Sequence, residues 1–283
     1  MSKQKIYLSC SALVLIAALL TWSIVWLRSY RETTEVIVLN VGEGDAILIS
    51  QGSNQVLIDG GRSGKELLSR VGRRVPFWDR TIETIIATHP DADHIGGFAA
   101  LLGAYRVRMF LYTGAESDTE TSSLLRKALA ANHTDVARIF RGGSVRFPYG
   151  GELAIEYPLT PLPAEMRDTN SGSIVGRFTY GATRMLLTGD LPNEETVLPD
   201  TQKADILKVA HHGSRYSTSA DFLDRVKPEE AVISVGKNSY GHPSPDVLGR
   251  LAERSIVVRR TDTDGDVAYL CTLELARCVA RQP

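Results

Sequence analysis

Residues 88–97 read THPDADHIGG. An apolar run, IETIIAT (82–88), leads into this segment, and the periodicity beyond it predicts a helix over 94–103. A short loop between strand and helix can aim His89, Asp91, Asp93 and His94 into one cavity. Four donors from so tight a loop crowd a single ion, so two adjacent divalent ions are the natural reading. Imidazole with carboxylate suits Zn2+, Mn2+ or Fe2+. The competing reading is an Asp-rich turn in which Asp93 caps the helix. Two flanking histidines speak against it.

Outward from this loop, the same pattern recurs. Strands are predicted at 35–41, 45–50, 55–59, 82–88, 106–111, 173–180, 182–188, 204–210, 230–235, 256–260 and 267–273. Helices are predicted at 94–103, 120–131, 193–198, 218–226 and 245–254. Strands followed by helices argue for α/β layers, and the tight Gly turns between the first three strands add a meander. Polar residues gather at strand ends: Asp190 after 182–188, His211 and His212 after 204–210, Lys237 after 230–235. Chemistry placed on loops at the ends of rigid strands is a common arrangement.

The chain has 283 residues, 43% of them hydrophobic and 23% charged, which excludes collagen-like and wholly disordered classes. Residues 7–27, YLSCSALVLIAALLTWSIVWL, carry no charge and are long enough to span a bilayer. Lys3 and Lys5 precede them, and Arg28 and Arg31 follow. The expectation is an N-terminal anchor (1–31), or alternatively a cleaved signal segment, ahead of one domain over 32–283. An N-in, single-pass topology would put that domain outside the cytoplasm at the cell membrane. Four of the 32 basic residues and none of the 33 acids lie before residue 32, which leaves the remainder at −5. A strongly basic nucleic-acid module is excluded as a bulk property. Cys271 and Cys278 can pair in an oxidising compartment, or serve as small apolar residues in a reducing one.

HPDADHIGG, LLTGD (186–190) and KVAHHGS (208–214) resemble the metal-binding motifs of the metallo-β-lactamase superfamily. LNVGEGDAILI (39–49), VLIDGG (56–61), VISVGKNSYGHPSP (232–245) and RTDTDG (260–265) extend the likeness, in order, to the hydrolase domain of ComEC-type competence proteins. The resemblance implies a four-layer αββα sandwich with two divalent ions, Zn2+ or Mn2+, at one edge. It places His89 and Asp91 on the first ion, Asp93 and His94 on the second, Asp190 between them, and His211 as the remaining ligand. The residues themselves leave open whether His211 or His212 ligates. The superfamily usually supplies one more histidine, in a region that here reads DTNSGS (168–173), so Asn170 or Ser171 is expected to approach metal or substrate instead.

Two ions about 3.5–4 Å apart can share a hydroxide near neutral pH. Asp93 would orient it, and Lys237, His212 or His242 would supply a cation. Ser214 and Asn238 would donate to a phosphate. Asp45 is expected near the cavity, and Asp59 behind the ligand loop. The resemblance implies cutting of DNA during uptake, with a separate channel protein as a further partner. Arg62, Lys65, Arg70, Arg73, Arg74 and Arg80, with Phe77 and Trp78 among them, could form a path for the backbone, against the alternative of a solvated loop with its Trp anchored in the core. The alternatives are a hydrolase of small or envelope-derived phosphoesters, esters or lactones, and a non-catalytic module that retains a metal.

Overall fold

Along the first strand Val36 and Val38 face one way, and Ile37 and Leu39 the other, and all four are buried. A strand covered on both faces must be apolar throughout rather than alternating. That explains the continuous apolar runs and dictates layers. The computed structural model describes residues 3–198 and 200–281, with side-chain detail in the first helix confined to Tyr7, residues 11–25 and Glu32.

One sheet has eight strands. They are β1 (Thr34–Val38), β2 (Ile47–Gln51), β3 (Asn54–Ile58), β4 (Thr81–Ile86), β5 (Arg106–Tyr112), β6 (Asp135–Arg138), β14 (Val267–Thr272) and β15 (Arg277–Arg281), in the order β15-β14-β1-β2-β3-β4-β5-β6. The other has seven. They are β7 (Ser144–Arg146), β8 (Glu152–Tyr157), β9 (Val175–Tyr180), β10 (Thr183–Leu187), β11 (Ile206–Lys208), β12 (Glu230–Ile233) and β13 (Val257–Arg260), in the order β13-β12-β11-β10-β9-β8-β7.

Val36, Ile49, Ile58, Phe178, Met185 and Val232 meet between the sheets. Leu67 and Val71 of helix Gly64–Arg74, Leu101 of Phe98–Ala104 and Leu125 of Glu120–Asn132 cover the outer face of the eight-stranded sheet. Phe222 and Val247, on Ala220–Val226 and Pro245–Glu253, cover the other. The result is four layers, αββα, in agreement with the expected sandwich. Each fully buried Leu, Ile or Phe contributes about 1.5–3 kcal/mol.

Helix Gly64–Arg74 and strands β6, β7, β8 and β15 escape the sequence reading. The helix is short of apolar residues because only Leu67 and Val71 are buried. The helix expected over 94–103 is two, Ala92–Ile95 and Phe98–Ala104, divided at Gly96 and Gly97.

The expected membrane span over 7–27 is not supported. Among the described residues no helix is long and apolar enough to cross a membrane. The side chains of Lys3, Lys5, Trp26, Arg28 and Arg31 lie outside the described residues. Nothing among the described residues bears on the expected N-in topology or the cell-membrane placement.

Cys271 and Cys278 face each other across β14 and β15 and form a disulfide, which resolves the open alternative.

Candidate metal centre

The site is assembled at strand ends on both sheets. Beyond β4 come Thr88 and His89, and the first turn of the next helix brings Asp93 and His94. Beyond β10 comes Asp190, and beyond β11 come His211 and His212. The GEG turn after β1 closes over this edge. Gly44 has φ +104°, and a Cβ there would lie 1.8 Å from the Asp93 carbonyl oxygen, so only glycine lets the turn lie flat on the ligand loop.

Three buried imidazoles share one arrangement. His94 Nδ1 donates to Asp59 Oδ2 at 2.8 Å, and His212 Nδ1 donates to the Ser234 carbonyl at 2.9 Å. His89 Nδ1 lies 3.0 Å from Thr88 Oγ1, which donates its own proton to Asp59 Oδ2 at 2.7 Å. With Nδ1 occupied in each ring, the network assigns the lone pair to Nε2. All three Nε2 atoms are buried and make no hydrogen bond. His94 Nε2 lies 3.3 Å from Asp190 Oδ2, and His212 Nε2 lies 3.4 Å from that oxygen and 3.5 Å from Asp93 Oδ2.

Nε2 facing carboxylate is a cation-shaped arrangement, filled by a proton in the metal-free chain and open to a metal ion that takes the proton's place. His89, His94 and Asp190 form one group whose ligand atoms lie within 4.8 Å of one another, and Asp93, His94 and His212 form another. The donor set fits divalent metal ions. Asp190 is central to it, and Asp91 stands at the edge, with Oδ2 3.9 Å from His89 Nε2 and Oδ1 accepting from Thr169 at 2.5 Å.

Electrostatics agree. Burial opposes protonation of His94 and His212, yet Asp190 and Asp59 raise the first well above the usual value, and Asp190 and Asp45 raise the second to about 10. Burial opposes ionisation of Asp190, yet His212 and His94 hold it well below the carboxylate range. Burial and His94 push His89 down to about 3, so it stays neutral. The pocket attracts positive charge and keeps Asp190 ionised, whereas burial raises Asp91 at its edge.

The two adjacent histidines of the late loop are placed differently. His211 Nε2 is 3.8 Å from Asp190, and its side chain is 29% exposed. His212 is buried and braced, and takes the inner position. Behind it, Asp45 Oδ1 lies 3.3 Å from Nδ1, and Asp45 Oδ2 pairs with the buried Lys208 ammonium. Burial would raise the Asp45 carboxyl, but Lys208 and His212 bring it down to about 2. Lys208 escapes the sequence reading. The signal was present: one charge inside the apolar strand ADILKVA.

A cavity of about 310 Å³ opens over the cluster. Asp91, Asp93, Asn170, Asp190, His211, His212, Asn238 and His242 line it. Asn170 lines the cavity, and its Oδ1 is buried without a hydrogen bond. Ser171 instead donates to Asp168 at 2.5 Å, and Ser214 accepts from the Tyr216 backbone. Neither lines the cavity. Asn238 donates to the carbonyls of Gly236 and His242 and accepts from the amides of Tyr240 and His242, so its amide braces a loop rather than a substrate.

Lys237 lies outside this cavity, and burial with His211 and His212 nearby lowers His242. Among the described lining residues the permanent side-chain cation is Arg62.

The expected basic path also divides. Arg70 and Arg74 are tied to Asp266 at 3.3 and 2.8 Å. Phe77 and Trp78 pack edge to face and do not line the cavity. A second, mostly apolar cavity of about 320 Å³ lies against His89 and Pro90, walled by Phe110, Leu125 and Leu129.

A model of the Metallo-beta-lactamase superfamily matches residues 39–237. ComE operon protein 3 of Bacillus subtilis is 33% identical over 261 residues, covering 83% of this chain and 33% of that protein. Competence protein ComA of Neisseria gonorrhoeae is 28% identical over 284 residues, covering 92% and 37%. The chain thus spans about a third of the length of these curated relatives. The metallo-beta-lactamase fold protein YhfI from Bacillus subtilis superposes with a TM-score of 0.54 at 14% identity, covering 82% of this chain and 98% of that one.

Proposed function

The chain belongs to the metallo-beta-lactamase superfamily, and on that footing we propose that it is a metal-dependent phosphodiesterase that cuts DNA in the course of DNA uptake. One observation carries the hydrolase reading: three buried imidazoles converge, lone pairs inward, on Asp93 and Asp190 at the floor of a polar cavity. The likeness to a competence protein supports the DNA context.

Divalent ions in such a cluster supply Lewis acidity and lower the pKa of water. The chain's own residues do the rest. His89, His94, His212 and Asp190 hold the ions, with Asp91 and Asp93 at the cavity side. Asp93, held ionised chiefly by His212 and His94 against the effect of burial, accepts a hydrogen bond from the attacking water and orients it. Arg62, whose Nη2 is 3.8 Å from Asp93 Oδ1, steadies the charge that develops on a phosphoryl group. His242, kept neutral at the cavity wall, orients substrate through one ring nitrogen.

The size of the cavity and the acidic balance of the domain favour a second reading, hydrolysis of a small phosphoester, ester or lactone. One experiment separates the two. The metal-stripped chain is reloaded with Mn2+ or Zn2+ and assayed on single-stranded DNA and on bis-p-nitrophenyl phosphate, beside Asp190→Ala. DNA cutting that disappears in the variant supports the nuclease reading. Cleavage of the small diester alone selects the second reading, and inactivity on both with metal bound defeats the phosphodiesterase proposal.

A further inference from the structure

The catalytic cavity does not end at the His/Asp cluster. It adjoins an outer chamber of about 510 Å³, lined by Glu43, Arg62, Lys237, Asn238, Ser239 and Tyr240. Four of these residues, Glu43, Arg62, Asn238 and Tyr240, line both spaces, so the two form one bent groove. Its inner part is walled by carboxylates and imidazoles, whereas its outer part carries two permanent cations and an aromatic ring. The Tyr240 ring is 72% exposed and stacks on His242 at 5.8 Å. Asn238, committed to the loop backbone, holds Tyr240 and His242 in this relation.

Glu43 is the one acid in the outer part. It takes Arg62 Nε and Nη2 at 3.1 and 3.2 Å. That pairing engages the Nε–Nη2 edge of the guanidinium, and Arg62 lines both parts of the groove. Arg62 and Lys237 against Glu43 leave a net positive chamber beside a strongly acidic cluster.

We infer that the outer chamber is a subsite for the nucleotide next to the phosphodiester held over the cluster. Arg62 and Lys237 take its phosphate, and Tyr240 stacks its base. The inference rests on the phosphodiesterase reading and gives it a substrate class, a polynucleotide rather than an isolated diester. The chemistry fits at both ends. A guanidinium with free N–H donors and an ammonium suit phosphate oxygens, and an exposed ring stacks any base without regard to sequence. A chamber of this volume falls within the ordinary range for a ligand of nucleotide size.

The test compares substrates within one enzyme. The full chain, loaded with Mn2+, is assayed on bis-p-nitrophenyl phosphate, a thymidine dinucleotide and a thymidine tetranucleotide. The expected result is a rise in kcat/KM of about tenfold or more from the isolated diester to the tetranucleotide, carried by KM. In Arg62→Gln/Lys237→Gln that gain falls to within about twofold, and Tyr240→Ala loses part of it. A gain equal in wild type and double variant overturns the inference, as does the absence of any gain in wild type.

A binding arm keeps it separate from the catalytic reading. Fluorescence anisotropy of a labelled thymidine octanucleotide is followed on the metal-free chain at two salt concentrations. Weaker binding and a shallower salt dependence in the double variant support the subsite even if nothing is cut. Unchanged binding, or none to wild type, rejects it. Unaltered thermal unfolding shows that these exposed substitutions leave the fold intact.

Discussion

The loop at 88–97 and the loop at 209–214 both deliver metal donors, yet they do so by opposite means. In the first, Asp91 is extended and the residues after it enter a helical turn, so spacing along the chain fixes direction in space. In the second, His211 and His212 both adopt left-handed conformations, with φ of 47° and 53°. Such a backbone is uncommon for non-glycine residues and turns successive side chains in unrelated directions. Where a loop leads into a regular helix, the order of donors can be read from sequence. Where two adjacent residues are left-handed, it cannot.

The sharpest way to break this contrast is to exchange the two histidines' fates. His212→Ala is expected to weaken binding of the tighter metal by more than about 100-fold, beyond the 10–100-fold typical of outer-shell changes. His211→Ala should alter it less than about threefold. Calorimetric titration of the stripped chain decides, and the reverse order would return the ligand role to His211.

Next in size is the support behind the second loop. Lys208→Met leaves Asp45 buried without its ammonium partner, which destabilises by about 3–5 kcal/mol. Adding Asp45→Asn should recover most of that loss. Urea denaturation of the two variants would show it, and an undiminished loss in the double variant would deny that the pair acts as a unit.

A smaller effect reads both loops at once. His212 is raised to about 10, so without metal its contribution to stability is complete below about 6.5 and is lost as pH rises through about 10. His94 is raised as well and acts in the same direction. The stripped chain should therefore lose thermal stability between pH 7 and 10. Metal requires neutral imidazole, so the loaded chain should escape that loss and release its ions toward acid instead. Melting curves with and without chelator test this, and parallel curves would contradict it.

The mildest perturbation leaves both loops alone. Cys271 and Cys278 are seven residues apart, and closing so short a loop stabilises by roughly 2–3 kcal/mol. Reduction should lower the melting temperature without changing metal affinity. A change in affinity would tie the β14–β15 hairpin to the site.

Much of this was legible in the sequence because chemistry interrupts apolar runs abruptly. His89, Asp93, His94 and Asp190 each follow a buried strand, and the two-sided burial of those strands makes the runs easy to see. What stayed hidden lacked such contrast. Strand β8, ELAIEY, alternates too weakly to stand out, and β7 is only three residues long. Lys237 looks well placed by motif, yet the loop braced by Asn238 turns it to the outer chamber. Arg62 reads as one of six basic residues in a stretch. Only the fold shows that it reaches the cavity while Arg70 and Arg74 are held by Asp266, almost two hundred positions away.

The origin of the donors has a consequence in time. His89, Asp91, Asp93 and His94 belong to the early part of the chain, and Asp190 and His212 to the late part. Neither part alone offers Asp190 Oδ2 between the imidazoles of His94 and His212. A nascent polypeptide that ends before Asp190 holds only the first loop's donors, and one that ends before His212 still lacks the second group of ligand atoms. A site built in this way closes only when the strand that carries its last donor docks.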